Sequence, residues 1–369
     1  MTKLFKIDKS TDEGVRLLLK DLLETGKISA VFSLKKLGEN GAVSYSLIAD
    51  PAELDGSLPL YPLMPGNAGN LLSHFTLDKG SQEAVAAVIR PCELRAFIEL
   101  VKRKKANLDN ITIISPTCNG VYPLEYAVTG KVEKNLLEYM EQTKQGAIPE
   151  SIRNTCKACE HFIPGKYADI IISSIGNDID KECRLVLNTA KAERLIEGIE
   201  GTSEDLEGEL DSAKLQSQKD QRKSARTELF TRIGTEYGGL DGLVNVFGKC
   251  IGCKGCRAVC PICYCQLCNF DSQNSTYQLN QTELKRKKGI RLPPNTLYFH
   301  LLRMSHMSIS CVGCGSCEDV CPADIPISSI FMMVGDAVAA QFEYIPGRDV
   351  DEKLPIKTFE LEEFAEVER

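Results

Sequence analysis

From Asp12 to Glu24 apolar residues recur every three or four positions. They put Val15, Leu18, Leu19, Leu22 and Leu23 on one face of a helix that Ser10-Thr11-Asp12 opens and Gly26 stops. Strands are expected at Ile28 to Leu34 and Val43 to Ala49, followed by a Pro/Gly-rich loop, Pro59 to Gly66, and a short helix, Asn67 to Phe75. The pattern then alternates: an apolar run at Ala84 to Ile89, a helix at Glu93 to Lys104, an apolar run at Ile111 to Ile114 and a helix within Lys131 to Gln142. Strands at Asp169 to Ser174 and Arg184 to Thr189 and a helix at Lys191 to Ile199 complete the series. Strand and helix in turn predict an α/β domain with a mostly parallel sheet. From Glu200 to Arg226 the chain is rich in Glu, Asp, Lys, Gln and Ser, and reads as a solvated helical connector or a mobile linker.

At 369 residues the chain exceeds what one core usually organises. The expected division is an α/β domain over 1–200, a charged helical linker over 201–240, an α+β segment over 241–335 and a tail over 336–369. A net charge of -7 argues against nucleic acid as a partner, because phosphate binding needs a concentrated basic face. Two short basic runs, Lys102 to Lys105 and Lys285 to Lys288, read as solvated ends, with docking to an acidic redox partner as the alternative. No apolar run follows the first lysines, and the best membrane-span candidate, Ile325 to Ala340, is short and interrupted by Asp336. Sixteen cysteines grouped at metal-ligand spacings suit a reducing cytoplasm better than a disulfide framework.

The grouping is sharpest near the C-terminus. Cys250-x2-Cys253-x2-Cys256-x3-Cys260-Pro261 is repeated as Cys311-x2-Cys314-x2-Cys317-x3-Cys321-Pro322, the bacterial ferredoxin run for two 4Fe-4S clusters. Three thiolates on one tight loop grip three corners of a cubane, and the fourth reaches the cubane of the other loop. Cys250, Cys253, Cys256 and Cys321 are therefore expected to hold one cluster, and Cys311, Cys314, Cys317 and Cys260 the other. Paired zinc sites are the rival reading of such spacings. Three further cysteines, Cys263, Cys265 and Cys268, follow the first run. They are either another metal site, with Cys183 as fourth ligand, or inert buried thiols. His300 and His306 flank Arg303 on a predicted helix, Leu297 to Met307, where packing against a cluster or exposure is expected.

Cys92 and Cys118 each follow a predicted parallel strand, so both fall on the sheet edge where α/β domains gather ligands. With Cys156-x2-Cys159 they could close a third four-cysteine cluster, although cysteines at such separations are more often core residues.

The stretch Thr155-Cys156-Lys157-Ala158-Cys159-Glu160-His161-Phe162, followed by Ala168-Asp169-Ile170 and Ser174-Ile175-Gly176, resembles the beta subunits of coenzyme F-420-reducing hydrogenases and formate dehydrogenases. In that family a Cys-x2-Cys-x-Asp-Phe segment precedes an Ala-Asp-Ile-Ser-Val-Gly strand. The helix opening at Ser10 to Gly14 is similar to the family's Ser-Gly-Gly helix, and Arg90-Pro91-Cys92-Glu93 sits where the family has Thr-Pro-Cys-Gln. The resemblance covers about residues 8 to 200, and the ferredoxin segment resembles a module fused in some members. It implies FAD in the N-terminal domain, beside a cluster held by Cys92, Cys118, Cys156 and Cys159. Ser10, Thr11, Gly14, Asn67, Asn70 and Arg90 are then the candidate flavin contacts. Asp12 and Glu13 replace part of the family's Ser-Gly-Gly and put acidic groups where phosphates would sit, which weakens the case for coenzyme F-420 itself. No Gly-x-Gly-x-x-Gly follows the first strand, so a dinucleotide-binding Rossmann domain is not supported.

Two functions follow as expectations. One is an iron-sulfur flavoprotein subunit linking a formate- or hydrogen-oxidising partner to a soluble hydride carrier. The other is a flavin-free relay docking to a heterodisulfide-reductase-like or other redox complex. A cluster-based sensor would need an output domain, and none is visible. No residue constellation identifies a general acid or base.

Overall fold

The computed structural model describes residues 3–38, 42–77, 80–206, 213–265, 268, 270, 287, 289 and 296–355. Its strands are β1 (Lys3–Ile7), β2 (Ala30–Leu37), β3 (Ala42–Ile48), β4 (Val85–Val88), β5 (Ile111–Pro116), β6 (Ile170–Ile172), β7 (Cys183–Leu187) and β8 (Thr202–Asp205). They form one mixed sheet in the order β3-β2-β4-β5-β6-β7-β1-β8. The four strands β2, β4, β5 and β6 are parallel and make its centre. Both flanks are antiparallel. Every position of β4, β5 and β6 is buried, as strands covered on both faces must be.

The covering helices are α1 (Thr11–Glu24), α2 (Ala68–Thr76), α3 (Pro91–Lys102), α4 (Glu125–Val128), α5 (Lys131–Gln145), the one-turn α6 (Asn154–Lys157) and α7 (Ala190–Leu195). On one face Val15, Leu18, Leu19 and Leu22 of α1 pack onto Val31, Ala86, Ile114 and Ile172. On the other, Leu94, Phe97 and Ile98 of α3 pack onto Ala87, Ile113 and Ile171. Successive strand residues alternate between the two cores because a strand's side-chain period is two. Strands β1 and β8 were absent from the expectation. All four residues of β8, Thr-Ser-Glu-Asp, are exposed, so this edge strand carries no apolar signal.

The C-terminal part contains α8 (Ala213–Tyr237), α9 (Gly239–Phe247), α10 (Gly255–Ala258), α11 (Thr296–Met307), α12 (Ser316–Asp319) and α13 (Ile327–Gln341). Helix α8 fills most of the stretch expected as a linker, but one of its stripes is buried: Leu215, Gln218, Arg222, Leu229 and Ile233. Leu215 packs with Phe162 and Ile175 at the edge of the sheet domain. Leu229 and Ile233 enter the core formed by Phe247, Phe299, Ile330 and Phe331 around the ferredoxin cysteines. One helix is thus built into both halves.

A second tie runs the other way. Residues 344–350 return to the sheet domain, where Gly347 N donates to Glu99 Oε1 at 2.8 Å, Arg95 Nε to Pro346 O at 2.8 Å and Tyr167 Oη to Asp349 Oδ1 at 2.6 Å. The first basic run is partly internal to this tie rather than a solvated end. Lys102 pairs with Glu99 at 3.4 Å and Glu352 at 3.6 Å, and Arg103 with Glu99 at 3.8 Å. The second run lies outside the described residues except for Lys287. Among the described residues no helix is long and apolar enough to cross a membrane.

Helix α1 meets β7 closely at Gly14, where a Cβ would lie 2.4 Å from Cys183 Cβ. Gly14→Ala should therefore destabilise the fold, because overpacking of ~1–3 kcal/mol outweighs a helix-propensity gain of ~1 kcal/mol. Anaerobic chemical unfolding checks this, and a midpoint at or above the parent's would show that α1 can move away from the sheet.

Candidate iron-sulfur and redox site

The parallel centre of the sheet aims successive loops at one edge. Beyond β4 the chain runs through Arg90 into α3, whose first turn carries Cys92, and beyond β5 it reaches Cys118. Cys118 N donates to Phe162 O at 2.8 Å, and Arg153 N to Val121 O at 3.0 Å, so the 153–162 segment is laced to the loop after β5. Cys156 lies on α6 and Cys159 just beyond it. All four cysteines line a single cavity together with Met64, Phe162, Arg222 and, from the second ferredoxin motif, Cys314. Burial pushes the Cys92 thiol far above its usual value, raises Cys118, and pushes Cys156 up to about 12. Only an adjacent positive centre would make such buried thiols into thiolate ligands.

Positive charge is present, and it is oddly placed. Arg222 of α8 is 1% exposed, and its guanidinium donates to Cys156 O at 2.6 Å, Cys118 O at 3.3 Å and Gln218 Oε1 at 3.2 Å while stacking over Phe162. Arg95 of α3, half-buried, donates to Pro346 O and Val312 O and lies in the field of Cys159, Cys92, Glu99 and Cys311. Among the described residues neither has a carboxylate at ion-pair distance. Guanidinium does not deprotonate in proteins, and a buried charge is stable only with a counter-charge. A thiolate-held iron-sulfur cluster is a net anion and would supply it. The buried Thr155 Oγ1, which has no partner among the described residues, also faces this cavity. The donor set therefore fits a cluster.

In the C-terminal part the two motifs interlock. A Cβ on Gly255 would stand 3.6 Å from Val320 O and 3.7 Å from Cys253 Sγ, so the end of the second motif lies against the first loop. Burial and then the charges on Cys250, Cys253 and Cys321 hold Cys256 up at about 11. Burial, Cys314 and Cys311 raise Cys317 well above the usual thiol value, and Cys317 also acts on Cys260. Cys321 thus acts on Cys250 and Cys256 of the first motif, and Cys317 of the second on Cys260. Among the described residues no three His, Cys, Asp or Glu side chains converge as ligands of a single metal ion, as paired zinc sites would need. Cubane ligands, each bound to a different iron, stand further apart.

The second motif is also locked to the sheet edge. Arg153 forms a buried ion pair with Asp319 and donates to Cys314 O at 3.0 Å and Met64 O at 3.2 Å. Gly315, at φ +81°, approaches so closely that a Cβ would fall 2.6 Å from Thr155 Oγ1. Cys314 of the second motif shares the quartet's cavity. A wider cleft of about 530 Å³ opens beside Cys159 and Cys311, lined also by Arg95, His161 and Arg226.

The remaining expected residues separate into two groups. Arg90 borders the quartet cavity and a narrower one shared with Cys118, and its guanidinium donates to Tyr45 Oη and Tyr61 O. Asn67 caps α2 through Oδ1, leaving a buried Nδ2 without a partner among the described residues, and Asn70 is half-buried on the same helix. Ser10, Thr11 and Gly14 have local roles. Ser10 caps α1 and bonds Glu13, Thr11 Oγ1 donates to Glu182 O at 3.2 Å, and Gly14 faces Cys183. Cys183 cannot be a fourth ligand for the extra cysteines, because it is buried in the α1 face of the sheet, in a different core from theirs. Cys263 lies against Met307 at 3.4 Å and shares a hydrogen bond with Cys260, whereas Cys265 is exposed. His300 is buried, stacked on Phe247 at 4.4 Å, and His306 is exposed, so the two do not form a metal pair. Arg95, Arg153 and Arg222 were not anticipated as site residues. Their only trace is that each is a basic residue in or beside a helix of otherwise ordinary pattern.

A family model described as a 4Fe-4S dicluster domain matches residues 247–325. The chain is 28% identical over 373 residues to the F420-dependent formate dehydrogenase subunit beta of Methanocaldococcus jannaschii, covering 93% of both chains. It is 29% identical over 387 residues to the F420-dependent formate dehydrogenase 1 subunit beta of Methanococcus maripaludis, covering 93% of this chain and 92% of that one. A chain from a xenon-derivatised F420-reducing [NiFe] hydrogenase complex of Methanosarcina barkeri aligns over 63% of this chain and 93% of its own, at 11% identity and a TM-score of 0.43. The resemblance read from the residues thus extends along nearly the whole chain, which is an oxidoreductase subunit with two 4Fe-4S clusters in its C-terminal part.

Arg153→Met would leave Asp319 buried without its counter-charge. Breaking a buried pair this way costs ~3–5 kcal/mol. Denaturant unfolding of the anaerobic protein, followed through its cluster absorbance, should show that loss, and an unshifted midpoint would mean that the pair does not hold the halves together.

Proposed function

We propose that this chain is an iron-sulfur flavoprotein subunit that passes electrons between a soluble hydride carrier and a chain of three 4Fe-4S clusters. The observation that carries the reading is the cavity shared by Cys92, Cys118, Cys156, Cys159 and Cys314, with the carboxylate-free Arg222 at its wall. These four cysteines would hold the third cluster. Cys250, Cys253, Cys256 and Cys321 would hold one of the other two, and Cys311, Cys314, Cys317 and Cys260 its neighbour. The relatives' names point to coenzyme F-420 as carrier and to a formate-oxidising catalytic subunit as partner, with a hydrogenase-type subunit as the related alternative. Cysteine thiolates and oxygen-sensitive clusters suit an anaerobic cytoplasm.

FAD is assigned to the same sheet edge. When bound, a flavin takes a hydride as an electron pair and releases single electrons to iron-sulfur centres. The residues that support it are Arg90, fixed between Tyr45 and Tyr61 beside Cys118, and Asn67, whose orphaned Nδ2 would donate to a ligand acceptor. Ser10, Thr11 and Gly14, in the first turn of α1, are the other contacts proposed for it. Met64, Val121 and Phe162 exclude water from the quartet. The rival reading, a flavin-free relay for a heterodisulfide-reductase-like complex, draws on the first turn of α1. Ser10 and Glu13 satisfy each other there, and the buried Asp12 would repel a phosphate.

The test is to release and identify any flavin from anaerobically purified protein, then mix the protein with reduced deazaflavin carrier, NADH or NADPH. One carrier should bleach the cluster absorbance rapidly. Cys156→Ala should abolish that bleaching while dithionite still bleaches the two C-terminal clusters. Protein that releases no flavin and responds to none of the carriers would leave the relay reading standing and sink this one.

A further inference from the structure

Arg303 lies on α11 between the two ferredoxin loops. It is 3% exposed, and its Nη1 stands 3.2 Å from Cys256 Sγ while Nη2 donates to Cys256 O at 3.1 Å. Its charge also acts on Cys263, Cys260 and Cys317. The rings of Phe299 and Phe331, centred 5.6 and 5.3 Å from the guanidinium carbon, hold it in place. Among the described residues it has no carboxylate at ion-pair distance. His300, one turn earlier, adds no charge, since burial and Arg303 itself hold its pKa down at about 3. A fixed positive charge therefore contacts Cys256 of the first motif and acts on Cys260 and Cys317, which the proposed ligation gives to the other cluster.

We propose that Arg303 is a shared electrostatic bridge that raises the reduction potential of both C-terminal clusters. Each reduction adds one electron from the reductant to an already anionic cluster, with no bond made or broken and no proton moved, because the guanidinium stays protonated throughout. In a low-dielectric interior, a cation at hydrogen-bond distance stabilises the more negative, reduced state. The proposal needs only the two C-terminal clusters and is independent of the flavin and the third cluster.

Redox-poised EPR titrations of the full chain test it, with Arg303→Gln and Arg303→Lys compared with the parent. Arg303→Gln should lower the equilibrium constant for reducing each cluster by about tenfold or more, ~59 mV per tenfold for a one-electron couple. Arg303→Lys keeps the charge and should hold both midpoints near the parent's. Midpoints unmoved in Arg303→Gln, a shift confined to one cluster, or an equal shift in Arg303→Lys would each overturn the bridge. If Arg303→Gln fails to retain eight irons, the lysine variant decides alone through resonance Raman: altered iron-thiolate stretching with unchanged midpoints supports the bridge, and lowered midpoints refute it.

Discussion

A guanidinium buried without a carboxylate is costly unless another anion stands beside it. This chain buries two such groups, Arg222 and Arg303, and each stands beside cysteines. They come from two different helices, α8 and α11, so the arrangement is not a local accident of one loop. Each helix has to be where it is for its arginine to reach the thiols. With iron-sulfur clusters in place, the charges balance and the packing of the two halves becomes self-consistent.

The same constraint explains why the halves are fastened so thoroughly. Three devices set the position of the ferredoxin loops against the sheet-edge quartet. Arg153 and Asp319 form a buried pair across the junction, Gly315 permits backbone contact at Thr155, and α8 is packed into both cores. The returning segment at 344–350 closes the far side. A 530 Å³ cleft remains open next to cysteines of both groups.

Much of the sheet domain was legible because its strands are apolar runs and its helices have clean faces, and the ferredoxin motifs because their ligands lie within a dozen residues of one another. The quartet was only half legible. Cys92, Cys118 and the Cys156-Cys159 pair are far apart in sequence, and only the parallel order of β4, β5 and β6 brings them to one edge. Helix α8 was misread because its buried stripe, at positions 215, 218, 222, 229 and 233, includes Gln218 and Arg222, so that hydrophobicity alone shows no face. Ser10, Thr11 and Gly14 were read as ligand contacts from their place at a helix N-terminus, and a terminus that caps itself uses the same small polar residues as one that binds phosphate. Cys183 was paired with distant cysteines because sequence alone does not show that it lies in the α1 core.

The central claim, that the quartet is a cluster site in line with the other two, is tested most directly by iron and acid-labile sulfide analysis with Mössbauer spectroscopy on anaerobically isolated protein. The account predicts about twelve irons per chain, all in four-iron clusters, three such clusters in total. Eight irons in a protein whose Cys92, Cys118, Cys156 and Cys159 all react as free thiols would contradict it.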